Sequence, residues 1–303
     1  MDPTNCHSRL TQTLAHIDGA YAPNTIRAYK ADMEEFIRYC EKRDLEALPA
    51  SPKTVAEFLV SVIGTGPKSA TIRRKVSSIS AIHRLSNLSD PTKHPDVKIA
   101  IRKMHRQLGR SFEQAYGITM PLLERLLSAT GDTLRGKRDQ ALLLLAYDTL
   151  RRRSELVNLR VEDIDWIAEG GASVLLRRSK TDQEGSGKWL YLSARTATAL
   201  KEWMSSARID SGPILRGVPG AQTVSEKLGE AQIPRIYKRL ARAAGLGEST
   251  VGAISGHSLR VGGAQDLLIQ GASLPQIMVK GGWSKPDTVM RYVERAQIRT
   301  HHI

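Results

Sequence analysis

The sequence is poor in the residues on which small secreted, metal-binding and membrane proteins depend. Its two cysteines, Cys6 and Cys40, are too few among 303 residues for a disulfide framework or a four-thiolate zinc site. The longest apolar run, residues 141–147, is far shorter than the roughly 20 residues that cross a bilayer. The first ten residues, MDPTNCHSRL, contain no apolar stretch typical of a secretion signal. These absences predict a cytoplasmic protein that contacts no membrane.

Acidic residues are also scarce relative to basic ones. The chain holds 45 lysines and arginines against 31 acidic residues, a net charge of +14 with a pI near 9.9. Much of the excess lies in residues 53–111, which contain 12 basic and three acidic side chains. A membrane-surface helix would place bulky apolar residues opposite its lysines, whereas this segment alternates serine, alanine, isoleucine and arginine and has few aromatic residues. The charge therefore predicts a nucleic acid as the partner.

Helical spacing of apolar residues predicts a bundle of four short helices in the first hundred residues. Asn24 is the expected cap of the first helix, and Ser51 with Pro52 opens the second, over residues 54–63. The third helix and the fourth, over residues 95–108, bury isoleucines and valines and leave basic side chains outside. The basic residues expected to contact DNA are Lys68, Arg73, Arg74, Lys75, Arg102, Lys103 and Arg106.

A break in this periodicity divides the chain into two predicted domains. Glycine and polar residues place a linker at residues 111–119, between a helical domain at 1–110 and a second domain at 120–303. In the second domain, the β-rich runs ASVLLRRS and KWLYLS flank TDQEGSG, which predicts a hairpin with Lys180 at its mouth. Helices make up the rest, so the predicted fold is mainly α with a small antiparallel β-sheet.

Several residues of the second domain are candidates for phosphate chemistry. His257 and Arg260, three apart, share one helical face. Arg152 ends an apolar helix, and Glu155 follows at a spacing that lets it support that arginine. Trp283 directly follows two consecutive glycines, and Tyr292 lies nine residues further along the chain. Each feature alone has an ordinary explanation: surface solvation for the pair, compensation of the helix dipole for the arginine, and core packing for the aromatic residues.

Taken together, these residues resemble the tyrosine recombinase (phage integrase) family, and especially its Cre-like members. That family has an arginine in T-L-x-R-x-x-E, a lysine in a β-hairpin, H-x-x-R, a histidine or tryptophan, and a tyrosine. This sequence has, in the same order, TLRRRSEL, SKT, GHSLR, GGW and VMRY. The matching residues are Arg152, Lys180, His257, Arg260, Trp283 and Tyr292, with Glu155 as catalytic support. Because Arg151 precedes Arg152, the assignment of that arginine depends on its spacing from Glu155.

The resemblance implies a SAM-like core-binding domain and a catalytic domain that form a C-shaped clamp on double-stranded DNA with paired half-sites. It further implies one dimer per site, a tetramer in synapsis, and neither a metal nor another cofactor. The implied activity is site-specific recombination through a 3′-phosphotyrosine. Two alternatives remain at this point: a type IB topoisomerase, which shares the chemistry, and a catalytically inactive DNA-binding relative.

Overall fold

The computed structural model describes residues 4–109, 114–179 and 186–300. The chain forms two compact units, Met1–Glu113 and Gln114–Ile303. Among the described helices, none is both long and apolar enough to span a membrane. Lys180 and part of the expected linker, residues 110–113, lie outside the described residues.

The first unit is entirely helical in its described part. Its core is built around Phe36 and Phe58, whose rings meet edge to face at 5.0 Å, and around Ile72 and Met104, all almost fully buried. The helices are α1 (Thr4–His16), α2 (Pro23–Glu41), α3 (Pro52–Ile63), α4 (Ser69–Leu85) and α5 (Pro95–Leu108), with a 3-10 turn at Pro91–Lys93.

One of the two helix caps predicted from the local sequence in this unit is present, and the other is not. The Ser51 hydroxyl accepts a hydrogen bond from the Thr54 backbone N–H at 3.0 Å, so the predicted cap of α3 is confirmed. The cap predicted at Asn24 is wrong, because Pro23 already occupies the first turn of α2 and Ala22 is the capping residue. Helix α1 was not predicted, since few apolar residues mark its buried side.

The structure corrects the placement of Lys75 on the exposed basic face. Lys75 is only 6% exposed, and its ammonium forms ion pairs with Glu35 and, at 3.8 Å, with Asp32. Arg74 also donates to Asp32, at 2.9 Å. The acidic residues of α2 therefore neutralise part of the basic charge of α4. The other predicted DNA-contact residues, Lys68, Arg73, Arg102, Lys103 and Arg106, are exposed.

The second unit combines helices with one small sheet. Its strands are β1 (Ile164–Trp166), β2 (Ala172–Leu176) and β3 (Lys188–Leu192), antiparallel in the order β1-β2-β3. The predicted hairpin is confirmed as β2 and β3, whereas the three-residue β1 was not predicted. The helices are α6 (Met120–Ser128), α7 (Leu134–Thr149), α8 (Arg153–Leu156), α9 (Ala194–Ala207), α10 (Gln232–Ala243), α11 (Glu248–Ala253), α12 (Ser258–Ile269), α13 (Leu274–Gly281) and α14 (Pro286–Thr300).

Helix α7 lies at the centre of the second unit. Its residues 141–146 are buried on all sides, and the helix packs against α9, α12 and β3. It ends at Thr149, and the capping residue Leu150 adopts the left-handed conformation at φ 52°. The next residue, Arg151, is buried.

We predict that Asp32→Ala destabilises the first unit by about 3 kcal/mol, because it leaves Lys75 buried with one carboxylate partner fewer. Asp32 is 1% exposed and also accepts a hydrogen bond from the Ser78 hydroxyl at 2.7 Å. Urea unfolding followed by circular dichroism measures the change. The control is Glu34→Ala on the same helix, whose loose pair with Lys30 at 3.9 Å contributes little. Equal effects from both variants would contradict the prediction.

Candidate active site

The turn after α7 fixes Arg152 by two contacts with one carboxylate. Arg152 caps α8, and its backbone N–H donates to Glu155 Oε2 at 3.2 Å. Its guanidinium Nη1 donates to Glu155 Oε1 at 2.7 Å. The contact expected between these two residues is thus present, and it holds the arginine side chain in one orientation.

Glu155 is 4% exposed, and it remains ionised because of its partner. Burial raises the pKa of its carboxyl, but the hydrogen bonds and charge of Arg152 outweigh burial and bring the pKa below its ordinary value. The carboxylate therefore neutralises one guanidinium of the site at physiological pH.

Arg260 lies in the first turn of α12 and is 3% exposed. Its Nη1 donates to the backbone carbonyls of Leu150 and, at 2.7 Å, of Gly281. Its Nη2 is buried and has no hydrogen-bond partner among the described residues. Burial, followed by the charge of Arg152, lowers the pKa of Arg260 to about 9, so the group stays charged at pH 7.

Arg260, Trp283 and Tyr292 form a continuous stack. The guanidinium carbon of Arg260 lies 3.9 Å from the centre of the Trp283 ring, a cation–π contact. The Tyr292 ring meets Trp283 edge on, with centroids 5.9 Å apart. Tyr292 is half-buried, and its electrostatic interaction with Arg260 places its side chain within range of the guanidinium.

Backbone contacts hold the helix that carries Tyr292. Gln265 of α12 is 7% exposed and donates its amide to the Tyr292 carbonyl at 3.0 Å, and Gln114 donates to the same oxygen at 3.5 Å. The neighbouring Asp266 accepts from the Tyr147 hydroxyl at 2.6 Å. Gln265 was not predicted as a site residue from the sequence. The available signal was a polar pair, Gln265 and Asp266, within a helix of small and apolar residues.

The structure brings five of the predicted site residues together. Arg152, Glu155, Arg260, Trp283 and Tyr292 form the cluster described above. His257 is exposed at the start of α12, three residues before Arg260, and its backbone N–H donates to the Ser255 hydroxyl at 3.1 Å. Lys180 lies outside the described residues.

Comparison with known proteins identifies the family. The model of the phage integrase family matches residues 118–299, and that of the phage integrase N-terminal SAM-like domain matches residues 12–86. The chain belongs to the phage integrase family. The predicted family, the mainly helical fold with a small antiparallel sheet and the enzyme class, a tyrosine recombinase, are therefore confirmed.

Relatives match over most of the chain. An integrase/recombinase xerD homolog of Selenomonas ruminantium is 29% identical over 93% of this chain and 84% of its own length. Recombinase Cre of Escherichia phage P1 is 25% identical over 93% of this chain and 87% of its own. Both alignments thus cover the two units of this protein.

Solved structures share the fold at low sequence identity. A lambda integrase dimer bound to a COC′ core site has a TM-score of 0.64 at 17% identity, covering 95% of this chain and 94% of that one. A XerH recombinase bound to palindromic difH substrate has a TM-score of 0.66 at 19% identity, covering 91% and 78%. A lambda integrase tetramer bound to a Holliday junction has a TM-score of 0.63 at 18% identity, covering 94% and 76%.

We predict that Glu155→Gln lowers the free energy of unfolding by about 2 kcal/mol at pH 7, because a charged hydrogen-bond acceptor is lost. The folded-state pKa of Glu155 is depressed, so its contribution is present above the unfolded pKa and is lost as pH falls through the folded value. The difference between the two proteins should therefore shrink below about pH 4.

Urea unfolding at a series of pH values measures this difference. The control, Glu230→Gln, removes an exposed carboxylate that lies 3.5 Å from Arg153 and should change stability by less than about 0.5 kcal/mol. A pH-independent difference for Glu155→Gln would contradict the assignment of an ionised, paired carboxylate.

Proposed function

We propose that this recombinase cuts and rejoins DNA at specific sites through a covalent 3′-phosphotyrosine, without a metal or ATP. The observation that carries the proposal is the buried Nη2 of Arg260, which has no hydrogen-bond partner within residues 4–109, 114–179 and 186–300 and lies in a cluster of arginines. Arg151, Arg152 and Arg260 are grouped around the carboxylate of Glu155. A buried donor without a partner costs free energy, and a phosphodiester oxygen would satisfy it.

Arg152 and Arg260 suit the non-bridging oxygens of the scissile phosphate. Negative charge on these oxygens grows in the transition state, and a rigid guanidinium stabilises it without reorganisation. Loss of one such donor from a preorganised site typically costs about 3 kcal/mol of transition-state stabilisation. The two arginines thus supply the positive charge that a metal supplies in other phosphoryl-transfer sites.

Tyr292 is the proposed nucleophile. A tyrosine with an ordinary pKa near 10 is ionised in about one molecule in a thousand at pH 7, so forming the phenolate costs roughly 4 kcal/mol. His257 would accept this proton and Trp283 would donate its indole N–H to a phosphate oxygen. The phenolic oxygen bonds to phosphorus while the bond from phosphorus to the 5′ oxygen breaks.

Lys180 is the proposed general acid that gives its proton to the departing 5′ oxygen. The phosphotyrosine has about the bond energy of the original phosphodiester, so a 5′ hydroxyl of the same or another duplex can reverse the step. Rejoining therefore needs no ATP, and exchange of partners between two duplexes yields recombinant DNA.

The proposed partner is double-stranded DNA with paired half-sites, bound by one dimer per site and by a tetramer in synapsis. The fold shared with the lambda integrase dimer on its core site and the tetramer on a Holliday junction supports this assembly. The exposed basic side chains of α4 and α5 would contact DNA phosphates, whereas Lys75 neutralises acidic residues of its own unit.

We predict that Tyr292→Phe binds target DNA but forms no covalent complex that survives denaturant, because the attacking oxygen is absent. The protein is incubated with a genomic library of its source, adducts are trapped in detergent, and the DNA ends are sequenced. The control is Tyr191→Phe, which removes the hydroxyl of a tyrosine that is 66% exposed on β3 and leaves the adduct intact. A persistent adduct in Tyr292→Phe would disprove the nucleophile.

The same experiment distinguishes a recombinase from a topoisomerase and from an inactive DNA-binding relative. Ends that share one sequence, followed by products joined between two duplexes, indicate site-specific recombination. Relaxation of supercoils without sequence preference would indicate a topoisomerase, and binding without any adduct would indicate an inactive relative.

We predict that neutralising Arg73, Arg102 and Arg106 together, each to glutamine, weakens DNA binding. The slope of log affinity against log salt should fall by up to about three units, because each phosphate contact contributes about one. Binding isotherms at several salt concentrations measure the slope. A control that neutralises the exposed Lys30 and Lys42, which lie outside residues 53–111, should leave the slope nearly unchanged. The same slope for the arginine variant and the unchanged protein would refute these contacts.

A further inference from the structure

Arg151 lies beside the proposed phosphate-binding arginines and has a different set of contacts. We propose that Arg151 is a positioning residue, which fixes the turn that carries Trp283 and thereby holds the tryptophan ring against Arg260. This inference rests on the proposed function, since Trp283 and Arg260 act there on the scissile phosphate.

The guanidinium of Arg151 joins the ends of two helices that are far apart in sequence. Its Nε donates to the carbonyl of Thr149 at the end of α7, at 3.1 Å. Its Nη2 donates to the carbonyl of Lys280 at the end of α13. Arg151 is 3% exposed; its contact with Thr149 is buried, and its contact with Lys280 is partly buried.

Arg260 donates to the backbone carbonyls that directly follow, in sequence, the two that Arg151 binds. It donates to the carbonyl of Gly281, next to Lys280, and to the carbonyl of Leu150, next to Thr149. The last carbonyls of a helix have no intrahelical partner, and they carry the negative end of the helix dipole. Two neighbouring guanidinium groups therefore bind two consecutive carbonyls at each of the two helix ends.

The glycines of the turn pack directly against Arg151 and Trp283. Gly282 ends α13 in the left-handed conformation at φ 67°, and a Cβ at this position would overlap Nη1 of Arg151. A Cβ on Gly281 would overlap the Trp283 ring. Because the turn closes directly on both side chains, displacement of Arg151 would release the segment that orients Trp283.

Burying Arg151 as a third cation beside Arg152 and Arg260 costs free energy. This cost favours a specific role for the hydrogen bonds that Arg151 donates. Burial lowers the pKa of Arg151, and the neighbouring charge of Arg152 lowers it further, against the opposing effect of Glu155. An apolar side chain of similar length would fill the same volume without this repulsion. It would leave the carbonyls of Thr149 and Lys280 without their donor.

The first test is Arg151→Met, which keeps the length of the side chain and removes its donors. Single-turnover cleavage of a suicide substrate, made from the trapped target site, should slow about 100-fold at saturating protein. The dissociation constant for the same DNA should change by less than about threefold. The matched control is Arg153→Met, which removes the same charge from a side chain that is 47% exposed, and it should cleave at the original rate.

The second test displaces the Arg151 guanidinium by a substitution at Gly282. It keeps the inference testable if Arg151→Met does not fold. Gly282→Ala places a methyl group against Arg151 and should slow cleavage at unchanged DNA affinity. Gly245→Ala is the control, because Gly245 has a similar φ of 74° and no atom within 4 Å of its missing Cβ. Both variants carry the same backbone strain, and only Gly282→Ala meets Arg151.

The outcomes separate this inference from the proposed function. If the unchanged protein forms no adduct with DNA, the proposed function fails. If it forms the adduct and both Arg151→Met and Gly282→Ala cleave within about threefold of it, only the positioning role is overturned. Parallel losses of DNA affinity and cleavage, or equal losses in Gly282→Ala and Gly245→Ala, would also overturn it.

Discussion

Repulsion between guanidinium groups packed around one carboxylate is the constraint on which the site depends. Charges brought this close in a medium of low dielectric constant repel strongly unless other groups offset the repulsion. Glu155 neutralises Arg152, whereas Arg151 and Arg260 bind backbone carbonyls. Among the described residues these contacts leave an excess of positive charge, which a phosphate would neutralise under the proposed function.

The backbone carbonyls that Arg151 and Arg260 bind lie at the ends of two helices. Leu150 caps the end of α7 and Gly282 caps the end of α13, and both residues adopt the left-handed conformation. A chain that turns in this way leaves the last helical carbonyls pointing beyond the helix, where the arginines reach them. Gly263 of α12 allows Leu150 to approach closely, since a Cβ at that position would overlap the leucine side chain. The small residues of α12 thus bring the two helix ends to Arg260.

In the first unit, neighbouring basic side chains differ in their exposure. Arg73 and Lys75 are two residues apart on α4, yet the first is exposed and the second is buried among the acidic residues of α2. A count of charges along the sequence treats them alike. Only the packing of α4 against α2 decides which charge remains available for a partner and which stabilises the unit.

Features that arise from neighbouring residues could be predicted from the sequence: the cap at Ser51, the bounds of α5, the β2–β3 hairpin and the contact of Arg152 with Glu155. The order of the candidate residues also predicted the family that the comparisons confirm. Tertiary structure alone decided the burial of Lys75, the contacts of Gln265 with the Tyr292 helix, and the joining of Arg151 to Lys280. The physical reason is the range of the contacts. Caps and hairpins form within a few residues, whereas Arg151 and Lys280 are 129 residues apart and meet only when the helices pack.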